Sequence, residues 1–439
     1  MHARDVIVFG GMNEIEAVGA EIGATAGGVE PGAGGLVRVE ASERPWTYGL
    51  MIAPSAVLAN GVVQGGALGY LLSRHGVGSG GQAHMIFLLA LPTSLYFLWS
   101  PITDFFVRRR SWLLGGGLSA AVLMGLAFQQ KNLSGRMATL LMLVSACCVQ
   151  LVVSSCGGMM GTMRSEMSKR KASSFYQSGS MGFGALTAWV LVWLSSRVSQ
   201  GTLGLVAAAL IGLPTLAALL APVQEEITTG TFRATALRVR DEFKATFWRA
   251  AALPYVACML FPGASGSAIG LLPGIAHQYG VSGDNVAWIN GLVGGLLVAA
   301  GSGVMALVKV RARAPVLYMV VTLINCIGLF VIMLGPQRPL TYLVGVLLYL
   351  FTVGCCYAMF TMVVLEFLGE SGKSGSGRYS IINSMGNVPV LYMALVDGWG
   401  GDKWGGRGLA GIEGVVGGLG ALCLLMYFLT VGRKAAPRR

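Results

Sequence analysis

The sequence predicts an all-α polytopic membrane protein, with twelve transmembrane helices in two pseudo-symmetric six-helix bundles. Three observations lead there. Of 439 residues, 54% are hydrophobic and only 11% charged, against about 25% charged in an ordinary soluble domain. Apolar runs of about 20 residues, the length a helix needs to cross a bilayer, recur along the chain. Lysines and arginines gather in alternate loops between those runs, as a fixed orientation in a membrane requires.

The remaining composition agrees. Sixty-five glycines and 21 methionines suit close-packed helices in lipid, where small residues let backbones approach. A formal charge of +12 could also suit a nucleic-acid partner. The bases are dispersed in short clusters between apolar runs, so no nucleic-acid partner is expected. All eight cysteines fall inside apolar runs without a Cys-x-x-Cys pair, and read as small buried apolar residues.

Residues 1–45 are rich in Gly, Ala and Glu and read as a disordered cytoplasmic tail. They hold too little continuous apolar sequence for a signal peptide, and whether they belong to the mature protein is open. Spans are expected at 46–72, 83–107, 111–130, 137–163, 175–196, 202–222, 250–279, 286–309, 315–335, 340–368, 379–400 and 408–432. This gives an N-terminal bundle over 46–222, a linker over 223–249, a C-terminal bundle over 250–432 and a tail over 433–439. With both termini inside, the cytoplasmic segments hold most of the 31 Lys and Arg, which fits the positive-inside rule. In the linker, Phe232, Ala236, Val239, Phe243 and Phe247 recur at helical steps, as in an amphipathic helix lying at the membrane surface.

The halves carry traces of a repeat. Ser180-Met181-Gly182 at the start of span five recurs as Ser384-Met385-Gly386 at the start of span eleven, and the same offset carries Glu166 onto Glu370. Tyr48 and Pro54 in span one are echoed by Tyr255 and Pro262 in span seven. Two related halves place a substrate site at their interface near the midplane.

The loop after span two reads Trp99-Ser100-Pro101-Ile102-Thr103-Asp104, then Arg108-Arg109-Arg110-Ser111-Trp112. Asp104 and Arg108 lie one helical turn apart and can pair. Together with the span count, the two halves and the long middle loop, this Asp-x3-Arg pattern resembles the major facilitator superfamily, over residues 46–432. The proline-led Trp-Ser-Pro-x-x-Asp looks more like its AmpG branch, the muropeptide permeases and acetyl-CoA transporters. So does the stretch from Arg378-Tyr379-Ser380 through Asn387-Val388-Pro389 to Asp397-Gly398-Trp399, with the Trp404-Gly405 turn after it. AmpG-like permeases carry a Gln-Asp and a second Asp in span four, candidates for proton coupling. The matching stretch here, Gln150-Leu151-Val152-Val153-Ser154-Ser155, keeps the glutamine and lacks both acids.

Ionisable groups within a membrane are costly, so each is a functional candidate. Asp104, Arg108, Arg109, Glu166 and Glu370 sit at cytoplasmic span ends and read as a gating latch, with proton coupling as the alternative. Asp397 and Glu413 are expected near the outer ends of spans eleven and twelve, either paired with Lys403 and Arg407 as an external latch or as solvated charges. His277, near the outer end of span seven, has a titration range suited to protons but reads as structural. No paired carboxylates are expected at one depth. In the superfamily, spans one, four, seven and ten line the cavity. Its expected polar lining is Asn60, Gln64, Gln150, Ser154, Ser155, Ser265, Ser267, Thr352, Tyr357 and Thr361, with Tyr176, Gln177, Asn383 and Asn387 from spans five and eleven. Such groups also bond helix to helix, at roughly 0.6 kcal/mol each. Pro262-Gly263 and Pro273-Gly274 are expected to break span seven.

These readings describe a secondary active or facilitative transporter of a small polar or amphiphilic solute in the cytoplasmic membrane. It is expected to be monomeric, not an enzyme, without cofactor or metal, and with protons as a candidate coupling ion. The branch resemblance implies a muropeptide or amino-sugar derivative as solute. A drug or metabolite exporter, and a non-transporting sensor with a transporter fold, are the competing readings.

Overall fold

The computed structural model describes residues 44–99, 102–104, 107–161, 166–221, 252–263, 265–307, 312–369 and 384–430, with positions 237, 240, 241, 244, 247 and 248. Among these residues the fold is helical and without strands. The linker pattern, apart from Phe247, and the tails lie outside the described residues.

Span one is helical over Thr47–Val63 (α1) and continues, after a 45° bend, as Ala67–Arg74 (α2). Ala56–Val63 within α1 is wound as a π-helix. The bend falls at Gly66, whose φ of 79° lies in the left-handed region that residues with a Cβ avoid. Then come α3 (Ser79–Ser94), α4 (Arg109–Phe128), α5 (Arg136–Gly161) and α6 (Glu166–Leu194), and α7 (Gln200–Leu220). The second half opens with α8 (Leu253–Leu260) and α9 (Ser267–Ile275), followed by α10 (Gly283–Met305). It closes with α11 (Ala314–Leu334), α12 (Pro339–Gly369) and α13 (Val388–Thr430). α13 is two helices joined through Gly405, at φ 64° and ψ −154°. Seven of the described helices are long and apolar enough to cross a membrane, and α1 with α2 forms an eighth, bent candidate.

Among the described residues, α2 packs against α9, α3 against α9 and α13, and α6 against α10, joining the halves. The apolar core follows the same division. One buried cluster runs through both halves, from Leu68, Leu72 and Ile86 to Leu271, Ile275, Tyr342 and Leu409. At the opposite end the core separates into two. Tyr48, Met51, Leu113, Val152 and Ala218 pack within the first half, and Tyr255, Tyr318, Met359, Phe367 and Phe428 within the second. The bundle therefore has a joined end and a split end.

Polar contacts reinforce the joined end. Arg197 meets Asp284 through two hydrogen bonds, of 2.9 and 3.1 Å. Asp402 Oδ1 accepts from Gly80 N at 2.9 Å, so a carboxylate from the second half caps the first turn of α3, where a helix favours negative charge. Gln278 Oε1 accepts from Gly406 N at 2.7 Å.

Candidate functional site

The site is built around the interruption of span seven. α8 ends at Leu260, the chain turns extended at Phe261, and Gly266, with a φ of 75°, precedes the first residue of α9. Carbonyls freed by a break in an apolar interior need new donors, since each unsatisfied group costs several kcal/mol there. Tyr392 Oη donates to Leu260 O at 2.7 Å and Tyr318 Oη to Gly263 O at 2.8 Å. Pro262-Gly263 thus lies in the break as expected. The second expected break is corrected: α9 runs through Pro273.

The break presents Ser265 and Ser267 to α13, and there the structure departs furthest from the sequence reading. Asp397 and Glu413 are 0% and 2% exposed. Ser265 Oγ donates to Glu413 Oε1 at 2.7 Å, and Ser267 Oγ lies 3.0 Å from Glu413 Oε2. The same Ser267 hydroxyl is hydrogen-bonded with Asp397 Oδ2. Tyr349 Oη, from α12, donates to Glu413 Oε1 at 3.3 Å. The expected pairing of Asp397 and Glu413 with Lys403 and Arg407 is therefore corrected. Lys403 Nζ stands 4.5 Å from the centre of the Trp399 ring, and Arg407 donates to Gly335 O at 3.0 Å. The physical reason is helix length. The first part of α13 continues about two turns beyond Asp397 before Gly405, and the second runs about two turns before reaching Glu413. Each acid is thus drawn inward from the turn, against the expectation that no carboxylates pair at one depth.

The polar positions of the first half behave differently. Asn60 Nδ2 donates to Ser180 Oγ at 2.9 Å, tying span one to span five. Gln150 Nε2 donates to Thr93 Oγ1 at 3.0 Å. Ser154 and Ser155 are buried, and their hydroxyls find no partner among the described residues. Gln64 is half-buried at the end of the π-helical turn. Tyr176 packs on the first-half cluster, and Gln177 is exposed.

In the second half, Thr352 Oγ1 accepts from Asn325 Nδ2 at 2.8 Å. Tyr357 Oη stands beside Gly266, where a Cβ would collide with it. Thr361 bonds back to Tyr357 O at 3.0 Å. Asn387 offers its carbonyl to Ser94 Oγ at 3.4 Å. The structure thus brings Ser265, Ser267, Tyr357 and Asp397 around one break, whereas Asn60 and Gln150 lie among the helices of the other half. Asn383 lies outside the described residues.

Of the expected latch, Arg109 Nη1 donates to Gly158 O at 2.8 Å, joining α4 to α5, and Arg108 is exposed ahead of α4. Glu370 and the side chains of Asp104 and Glu166 lie outside the described residues. His277 is exposed, its Nδ1 3.0 Å from Gly274 O, in a cleft with Tyr70, Ser73 and Arg74. Sequence reasoning missed Tyr349, Arg197, Asp284 and Asp402. Their partners lie tens to hundreds of positions away, and periodicity carries no signal of such contacts.

No protein-family profile matches the chain, and no curated protein matches it in sequence. Solved structures do match its fold. The nucleoside transporter NupG aligns over 87% of this chain and 98% of its own, with TM-score 0.64 and 12% identity. A crystal structure of a NupG mutant gives 0.67 over 87% and 99% at the same identity. The D-xylose-proton symporter gives 0.63 over 87% and 95%, again at 12% identity. The chain has the fold of the major facilitator transporters, a helical membrane fold in two halves.

Proposed function

We propose that this protein is a secondary transporter of a small polar solute, working by rocking of its two halves about a site between them. The observation that carries this reading is the core, continuous across the halves at one end and divided at the other. Such a molecule has one closed end, and exchanging which end is closed moves a solute across a membrane. The bends at Gly66 and Gly266, one in each half, supply points where helices can flex without new unsatisfied backbone groups.

Neighbours named for a nucleoside and for D-xylose support a hydroxyl-bearing solute of modest size. The loop and span-eleven motifs favour the AmpG-like branch, and with it a muropeptide or amino-sugar derivative. On the positive-inside count the split end faces the cytoplasm, with both termini, in a cytoplasmic membrane. A monomer contains both halves and is sufficient. Uptake into proteoliposomes tests the proposal, using labelled anhydro-muropeptide, a nucleoside and D-xylose with and without an acid-outside gradient. Accumulation of one of them is expected. No flux of any solute, with tight binding of one, would favour a sensor instead.

A further inference from the structure

We propose that Asp397 and Glu413 together bind one exchangeable proton, and that this proton is the coupling ion of the transporter proposed above, on which this reading rests. The argument is one of donors and acceptors. An ionised carboxylate only accepts hydrogen bonds, and a serine hydroxyl has a single hydrogen to donate. Ser267 Oγ nevertheless contacts both carboxylates. Its hydrogen serves one of them, so the other contact needs a hydrogen carried by the acid. A second, independent observation points the same way. Asp397 Oδ1 is buried with no donor among the described residues, and a bare carboxylate oxygen in an apolar interior is among the costliest groups to leave unmatched. A proton on Asp397 Oδ2 can be donated to Ser267 Oγ, which frees the serine hydrogen for Glu413 and leaves Oδ1 a neutral carbonyl oxygen instead of a charged one.

The surroundings allow one negative charge and not two. Glu413 accepts from Ser265 and Tyr349, and Ser267 Oγ lies 3.0 Å from it. The start of α9, with Ser267 N donating to Ser265 Oγ at 3.1 Å, adds the positive end of a helix. The titratable groups facing the pair are Tyr349 and Tyr357 from α12, Cys326 from α11 and Tyr392 from α13 itself. All are neutral acids in their usual state. α3 presents Ser79, Gly80 and Ala83 to Gly398. Two adjacent carboxylates in such a place cannot both stay charged.

The position ties the proton to motion. Ser265 lies in the break between α8 and α9 and Ser267 opens α9, which packs on α2 across the halves, with Pro273 against Gly66. With the proton bound, the serines hold the break to α13. When it leaves, two negative charges face each other and the break is released, loosening the joined end.

Infrared spectroscopy of the purified full-length protein tests this through the carbonyl band of a protonated carboxylic acid, followed as pH is raised. The wild type is expected to show such a band at neutral pH and to lose it in a one-proton step. Asp397→Asn is expected to abolish it, because Glu413 alone keeps its donors and ionises. Ser267→Ala retains both acids and is expected to shift the midpoint, and Asp397→Glu to restore the band. Added sodium at constant pH is expected to leave it unchanged. A wild type without the band, a band indifferent to these variants, or its loss on adding sodium would overturn the proposal. The expected band in a protein that moves no solute would leave the proton site standing and remove the transporter reading instead.

Discussion

Gly266 shows how far one residue can decide a membrane helix. Its φ of 75° is poorly open to a residue with a Cβ, and an added Cβ would meet Tyr357 Oη. Gly266→Ala is expected to destabilise the fold by about 1–2 kcal/mol, read as a lowered thermal midpoint in detergent. Gly303→Ala, where a Cβ meets open space, should leave the midpoint unchanged, and equal effects of the two would refute the assignment. At this scale the sequence was half legible. Ser265 and Ser267 stood out as polar residues in an apolar span. Asp397, in contrast, lies among Gly398, Gly400, Gly401, Asp402 and Lys403, a composition that reads as a turn at the membrane surface. Only the continuation of the helix to Gly405 places it inside.

Among elements, the joined end depends on a few contacts between helices of different halves. Arg197–Asp284 is a two-point ion pair at the surface, of the kind that weakens as salt is raised. Arg197→Asp should open this end, read as several-fold faster reaction of a cysteine placed at buried Ala287 with a membrane-impermeant thiol reagent. Adding Asp284→Arg should restore the slow rate, and high salt should move the wild type toward the single variant. Asp402→Asn weakens the charge at the start of α3 and should speed reaction of a cysteine at Ser79 in the same way. Rates insensitive to all three changes would show that apolar packing alone closes this end. Long apolar helices were legible, because a bilayer imposes length and hydropathy on every crossing, and seven of the described helices meet that requirement. The bend at Gly66 was not, since neither proline nor a polar run marks it. The predicted break at Pro273 failed because α9 tolerates that proline within its last turns.

For the whole molecule, hydropathy and the loop charges were enough to foresee a helical membrane fold, and the Ser-Met-Gly repeat its two halves. They could not tell which end of the halves is in contact. That depends on long-range packing between helices such as α6 and α10, whose partners no local pattern selects. The joined and split ends are the central structural fact, and the proposed rocking turns on them. The most direct test places spin labels at Ser196 and Asn285, across the joined end, and in a second sample at Lys171 and Ala312, toward the split end. Distances are then measured in liposomes over a range of pH and with each candidate solute. Rocking predicts two distance populations at each pair, the first lengthening as the second shortens. A single unchanging distance at both pairs, under conditions where solute crosses the membrane, would contradict it.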